Sequence, residues 1–334
     1  AAAAELSQPG GLDIVALGRA SAAGGNPVIP LVKMLRERVG QEGVPASVVH
    51  PGATSQDIMD CALMLLTRRA GAVVLADLTR AADSAAHLAR LHRSTPMVAR
   101  TLGQQALPTT FGLLASSWFT ALDAAAIRLE IVLSTLPVQF GGAAGTLAAL
   151  YPDGLRIADA LADELGLARQ VTPWHTDRVT IAELATTLGI VAGAVSKPAT
   201  DITLMASTEL SEVAESAPGG SSAMPHKQNP VAASTARAAA RRAPALVATA
   251  LSNMDHEFAR AAGPWHAEWE TVTDLLRLAG GAAHQLSVSL TGLQVHTESM
   301  ARNLDITGGL ILAERVTKAL SAHTDRARDI VTAA

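Results

Sequence analysis

One run of residues carries much of the chemistry this chain can offer: Pro218-Gly219-Gly220-Ser221-Ser222-Ala223-Met224-Pro225-His226-Lys227-Gln228-Asn229-Pro230. Its glycines give a mobile backbone, two hydroxyls follow side by side, and a lysine comes five residues after the second of them. The chain has only four lysines against 22 arginines, so a lysine in this run is informative. A plain linker between helices would rarely combine two serines, a methionine, a histidine and a lysine in so short a space. A second run, His50-Pro51-Gly52-Ala53-Thr54-Ser55-Gln56-Asp57, sets two hydroxyls at the start of a helical stretch. Hydroxyls and free N–H groups at a helix N-terminus form an anion site; alternatively, Thr54 or Ser55 merely caps the helix.

The elements that must hold these runs are long helices. Residues 56–94 contain no proline and one glycine, Gly71, so a single helix there would be about 60 Å long at 1.5 Å per residue. Residues 109–137, 176–210 with a kink expected at Pro198, 229–253 and 264–293 read alike, the last opening on a proline suited to a first helical turn. Alanine makes up about a fifth of the 334 residues and has the best intrinsic helix propensity. Small side chains occur on nearly every face of these segments, as in helices with neighbours all round. The expected fold is all-α, a bundle of long helices with polar loops at 46–55, 93–108, 139–151 and 212–229 at its ends. The expected domains are an N-terminal helical domain over 1–110 with an incomplete start, a central long-helix bundle over 111–295, and the start of a C-terminal helical domain over 296–334. Ala1 to Ala4 read as a helix entered part-way.

Composition narrows the function classes. A net charge of −4 with 3% aromatic residues offers neither the basic field nor the stacking surfaces of a nucleic-acid binder. The single cysteine, Cys61, excludes an internal disulfide framework and paired-cysteine metal sites. No charged-then-apolar leader opens the chain, and no stretch reads as about 20 uninterrupted apolar residues, so a soluble cytoplasmic enzyme with no membrane partner is expected.

Residues 220–230 match at every fixed position the GSSxMPxKxNP motif of the fumarase/aspartase superfamily, and the chain is identified as a member on that ground. The run from His50 to Asp57 resembles the superfamily's first conserved region, where a Thr-Ser pair binds a substrate carboxylate. Arg100-Thr101-Leu102-Gly103-Gln104-Gln105-Ala106-Leu107-Pro108-Thr109-Thr110-Phe111-Gly112 is similar to its second. The resemblance implies a homotetramer with a core of about twenty helices and active sites each assembled from three subunits. It implies no catalytic metal or other cofactor, and a small polycarboxylate as substrate. It implies proton removal or delivery beside a carboxylate through an aci-carboxylate carbanion, with loss or addition of a group at the neighbouring carbon. Ser222 takes the role of catalytic base, with Ser221 second. A serine is far too weak a base in water, so the loop must close and offer N–H donors and Lys227 to its alkoxide. Substrate contacts are expected from His50, Thr54, Ser55, Gln56, Arg100, Thr101, Gln104, Gln105, Met224, Lys227 and Asn229.

Two departures choose among subgroups. In adenylosuccinate lyases the second region reads RTHGxHAEPTTFG, and its second His works with a Glu just after the serine loop; these fall on Gln105 and Ser234 here. Such a pair protonates a poor leaving group such as an amine, whereas the anion of a fairly strong acid needs no proton. The chain resembles the 3-carboxy-cis,cis-muconate cycloisomerases, whose motifs read HxGATSQD and GRTxxQQALPTTFG. In them a substrate carboxylate adds across a double bond and the carbon next to another carboxylate is protonated, Ser222 then being the proton donor. Pro51, Cys61, Gly103 and Gln228 depart from that subgroup's usual residues, and the lost Arg at 228 bears on the substrate. Nitrosuccinate lyases, which expel nitrite to give fumarate, are the alternative. A noncatalytic structural relative, as among lens crystallins, would have no need of Ser222, Lys227 and Asn229. Trp174-His175 and Trp265-His266 read as capping or packing pairs. Asp255-His256-Glu257 does not share one helix face and is not read as a metal site. Cys61 reads as a small buried hydrophobe.

Overall fold

The computed structural model describes Ala4, Gln8 and residues 10–333; the expected helix entry at Ala1 to Ala4 lies outside these residues apart from Ala4. The elements are α1 (Ile14–Gly24), α2 (Val28–Gln41), α3 (Ser55–Leu91), β1 (Pro96–Thr101), β2 (Gln104–Thr110), α4 (Phe111–Ser134), α5 (Gly154–Leu165) and α6 (Val179–Met205). They continue as β3 (Val213–Ala214), α7 (Val231–Ser252), α8 (Pro264–Leu290), β4 (Gln294–Val295), α9 (Thr297–Asp305), α10 (Ala313–Leu320) and α11 (Ala327–Ala333). The fold is all-α in class, and the five long helices lie where the sequence predicts them. The chain gathers into two compact units, one of residues 1–72, 131–185 and 247–273, the other of 73–130, 186–246 and 274–334.

Each long helix buries one stripe. In α4, Phe111, Ala115, Trp118, Leu122, Ala125, Leu129 and Val132 recur at spacings of three and four and are buried. In α7 the buried positions Ala232, Ala233, Ala236, Ala240, Ala243 and Ala250 are all alanine, which lets a neighbouring backbone come close. The opposite faces carry exposed apolar residues, among them Leu66, Val73, Leu113, Ile127, Ile131, Ile190 and Val288. Helix α6 continues through Pro198 and α7 through Pro244, each losing one ladder hydrogen bond. By length and composition α6 alone among the described helices could cross a membrane, and half of its most apolar stretch is buried in the protein. Leu184, Leu188, Val191, Val195 and Ile202 are fully buried, so its apolar face is a core face.

The expected loop at 93–108 is instead largely a hairpin. Strands β1 and β2 pair antiparallel from Pro96↔Thr110 to Thr101↔Gln104, around Leu102 and Gly103 at φ 51° and 80°. Positive φ at both central residues is what a two-residue turn between twisted strands requires, and Gly103 meets it without strain. The register shifts between Ala99 and Arg100, so that Arg100 faces Gln105 rather than Ala106. Such an irregularity re-aims side chains, here two of the expected site residues.

Candidate active site

The first region lies in the unit of residues 1–72, 131–185 and 247–273. Thr54 precedes the first turn of α3, and the Asp57 carboxylate accepts the Thr54 N–H at 2.8 Å, one half of a capping box. The other half is altered: the Thr54 hydroxyl accepts a hydrogen bond from Arg260 Nη1 at 2.7 Å. Asp57, 1% exposed, also accepts hydrogen bonds from the N–H groups of Gly141 and Gly142 at 2.9 and 3.0 Å and from His175 Nε2 at 2.7 Å. The carboxylate thus ties the 139–151 loop to the helix start. That loop comes so close that a Cβ on Gly142, at φ 72°, would lie 2.7 Å from the Gly52 carbonyl oxygen.

His50, at φ 60°, and Ser55 line a cleft of about 420 Å³ with Lys33 and Arg36 from α2. Burial, aided by the Arg36 charge, holds the His50 imidazole below its ordinary pKa, against the weaker pull of Asp57. Gln56 is buried. Its amide donates to the His175 carbonyl at 2.8 Å and to Asp60 at 3.3 Å, and its Oε1 has no partner among the described residues.

Beneath the first region is a buried ionic cluster. Arg178 donates to both Asp60 oxygens at 2.9 and 3.2 Å and to Glu268 at 2.6 Å. Burial is the largest influence on this guanidinium and works against its charge. Asp60 and Glu268 together outweigh it and hold the pKa above the ordinary arginine value. The His256 Nε2 lies 3.3 Å from Glu268, within ion-pair distance but without hydrogen-bond geometry. Among the described residues no three metal-ligating side chains come together. Trp174 and Trp265 pack here, Trp174 Nε1 donating to the Val138 carbonyl at 2.8 Å.

Cys61 behaves as a small buried group. Its thiol donates to the Gln139 carbonyl at 3.1 Å, and burial pushes its pKa up to about 12. The native chain is therefore expected to resist iodoacetamide at neutral pH and to be alkylated at Cys61 only once unfolded, as mass spectrometry of the tryptic peptide would read. Stoichiometric labelling of the folded protein within minutes would contradict this.

The other expected residues lie in the second unit. Arg100 forks onto Glu212, Nη1 and Nη2 donating at 2.9 and 2.6 Å, and Glu212 also accepts from Asn303 at 2.8 Å. Both Nη groups of Arg100 are therefore engaged. Thr101 and Gln104 are exposed at the hairpin end, and Gln105 has a buried Oε1 with no partner among the described residues. The serine loop is pinned at its base, where Gly219 and Asn229 exchange backbone hydrogen bonds of 2.9 Å. The Asn229 side chain adds a bond to the Gly219 carbonyl at 3.1 Å. Within the loop Ser221 Oγ accepts the N–H groups of Ala223 and Met224 at 3.4 and 3.2 Å, forming a turn. Ser222, Met224 and Lys227 are exposed, and the Ser222 hydroxyl has no partner among the described residues. The loop leads into α7, whose first free N–H groups, on Ala232 and Ala233, are capped by buried Glu215 at 3.2 and 2.8 Å.

His50, Thr54, Ser55 and Gln56 thus fall in one unit, and Arg100, Thr101, Gln104, Gln105, Ser221, Ser222, Met224, Lys227 and Asn229 in the other. The sequence reading missed Arg260, Glu212 and the Asp60–Arg178–Glu268 cluster. No local signal marked them, since each stands among other charged or polar residues in the sequence.

A family described as lyase matches residues 22–244. The chain is 45% identical to a nitrosuccinate lyase of Streptomyces davaonensis, over 98% of this chain and 72% of that protein. It is 48% identical to a 3-carboxy-cis,cis-muconate cycloisomerase of Bradyrhizobium diazoefficiens, over 92% of this chain and 70% of that one. The crystal structure of the 3-carboxy-cis,cis-muconate lactonizing enzyme from Pseudomonas putida superposes with a TM-score of 0.91 at 43% identity, covering 96% of this chain and 73% of the other. The chain belongs to this lyase family, within the fumarase/aspartase superfamily, and is an enzyme of that superfamily.

Proposed function

We propose that the protein cyclises 3-carboxy-cis,cis-muconate to the carboxymuconolactone. The observation that carries the reading is an intact serine loop accompanied by neutral side chains, Gln105 and Ser234, where a leaving-group acid and its partner would stand. A substrate carboxylate adds to the double bond as an anion and needs no proton; the carbanion formed next to another carboxylate takes its proton from Ser222. Lys227 stabilises the resulting alkoxide, with Ser221 shaping the loop and second in line as proton donor. His50, Thr54, Ser55, Gln56, Thr101, Gln104, Gln105, Met224 and Asn229 contact the substrate. Arg100, held by Glu212, contributes by fixing the hairpin and offering Nε. No metal, nucleotide or other cofactor takes part. Mixing enzyme with 3-carboxymuconate should abolish the substrate's ultraviolet absorbance without metal or nucleotide; unchanged absorbance at high enzyme concentration would overturn the reading.

The second reading is expulsion of nitrite from nitrosuccinate to give fumarate. It is favoured by the 45% identity to a nitrosuccinate lyase over 98% of the chain and by Gln228 in place of the cycloisomerases' usual Arg. Nitrite release with fumarate formation, and no action on the muconate, would select it.

The assembly proposed is a cytoplasmic homotetramer with sites shared between three subunits and with the three sequence domains named above. The exposed apolar faces of the long helices support it, since such faces call for neighbours. Inactive Ser222→Ala and His50→Ala variants, dissociated and reassembled together, should recover about a quarter of native activity or less, because only mixed sites escape both lesions. No recovery at all would argue for sites built from one chain.

A further inference from the structure

Three cations lie beside the first region: Lys33 and Arg36 line the cleft with His50 and Ser55, and Arg260 bonds directly to Thr54. Arg260 lies between α7 and α8, its guanidinium 5.8 Å from the centroid of the Trp265 ring and bonded through Nη1 to Thr54 Oγ1 at 2.7 Å. Burial lowers its pKa below the ordinary arginine value, the largest effect on it, while Asp57 and Asp60 act on it from a distance in the other direction. Those two acids are already engaged: Asp57 by three N–H groups and His175, Asp60 by Arg178. Arg100 and Arg178, by contrast, each hold carboxylates directly. One of the five Arg260 donors is used on Thr54, and the others have no partner among the described residues.

The bond to Thr54 has a directional consequence. A hydroxyl that accepts from a guanidinium has its own proton polarised and free to be donated, and among the described residues nothing accepts it. The Ser55 hydroxyl is likewise without a partner. Arginine's planar fork, a polarised hydroxyl and the N-terminal end of α3 are complementary to a carboxylate.

We propose that Arg260 is a specificity-determining residue that, together with the Thr54 hydroxyl, holds one carboxylate of the substrate, supplying a cation at the Thr54 hydroxyl itself. The inference rests on the reading of the first region as the carboxylate site.

The test uses the full chain with Arg260→Gln, Arg260→Lys and Thr54→Val. Propane-1,2,3-tricarboxylate serves as a probe in calorimetry, and kcat and KM are measured on whichever proposed substrate is turned over. Arg260→Gln should weaken tricarboxylate binding and raise KM by ten- to hundredfold with kcat changed less than threefold, and Arg260→Lys should recover part of the loss. Thermal midpoints should stay near native. Equal binding by native protein and Arg260→Gln would overturn the proposal, as would absence of saturable binding to the native protein. So would a joint fall in kcat and thermal midpoint that lysine does not rescue. Should the native enzyme turn over neither substrate, the functional reading fails, while the binding comparison still decides the role of Arg260.

Discussion

Ser222→Ala should lower kcat by about 10²- to 10⁴-fold, the range typical of a lost proton donor or base, with KM within a few-fold of native. The hydroxyl is exposed and makes no bond to the described part of the chain, so its removal costs the fold almost nothing. Far-ultraviolet dichroism and the thermal midpoint should be unchanged, which separates chemistry from stability. Ser221→Ala is the informative companion. Its oxygen accepts two N–H groups of the loop, so its loss loosens the turn that presents Ser222 and should act through both KM and kcat. Retention of native kcat within tenfold by Ser222→Ala would remove that residue from the mechanism.

Arg178→Met should destabilise the chain by about 3–5 kcal/mol, the usual cost of leaving buried charges without their counter-charge. Asp60 and Glu268 would be stranded, both buried and both aimed at the missing guanidinium. Met keeps much of the volume, so little of the loss would come from a cavity. The triple variant Arg178→Met, Asp60→Leu, Glu268→Met should regain most of it, because replacing a whole buried ionic cluster with apolar residues is often neutral or better. Urea midpoints read at constant slope distinguish the cases. A loss under 1 kcal/mol for the single variant would mean that water reaches the two carboxylates. Since Asp60 also accepts from Gln56, the single variant should disturb the first region as well as the fold.

The long helices were legible because glycine and proline are scarce over spans such as 56–94, and the observed α3, Ser55–Leu91, ends within three residues of that reading. The hairpin was not. Leu102-Gly103 has only one residue of the type that such turns prefer, and Pro108 within β2 argues against a strand. It forms because the ribbon is short, and proline is tolerated on the open side of an edge strand. Helix α7 runs through Pro244, as expected for 229–253, since surrounding helix and packing outweigh one lost hydrogen bond.

Chemistry carried by residue type was readable from the chain alone: adjacent serines, a lysine and Asn-Pro identify a loop, and positions 105 and 234, where related lyases carry an acid and its partner, hold neutral residues. What tertiary structure alone decided is which polar groups are already engaged. Arg100 is held by Glu212, 112 positions away, Arg178 by Asp60, 118 away, and Thr54 meets Arg260 across 206. Ion pairs and hydrogen bonds depend on distances of a few ångströms, and no local pattern encodes those distances between residues so far apart in the chain. The free hydroxyl of Ser222 and the bond from Arg260 to Thr54 became visible only once the partners had been assigned in space.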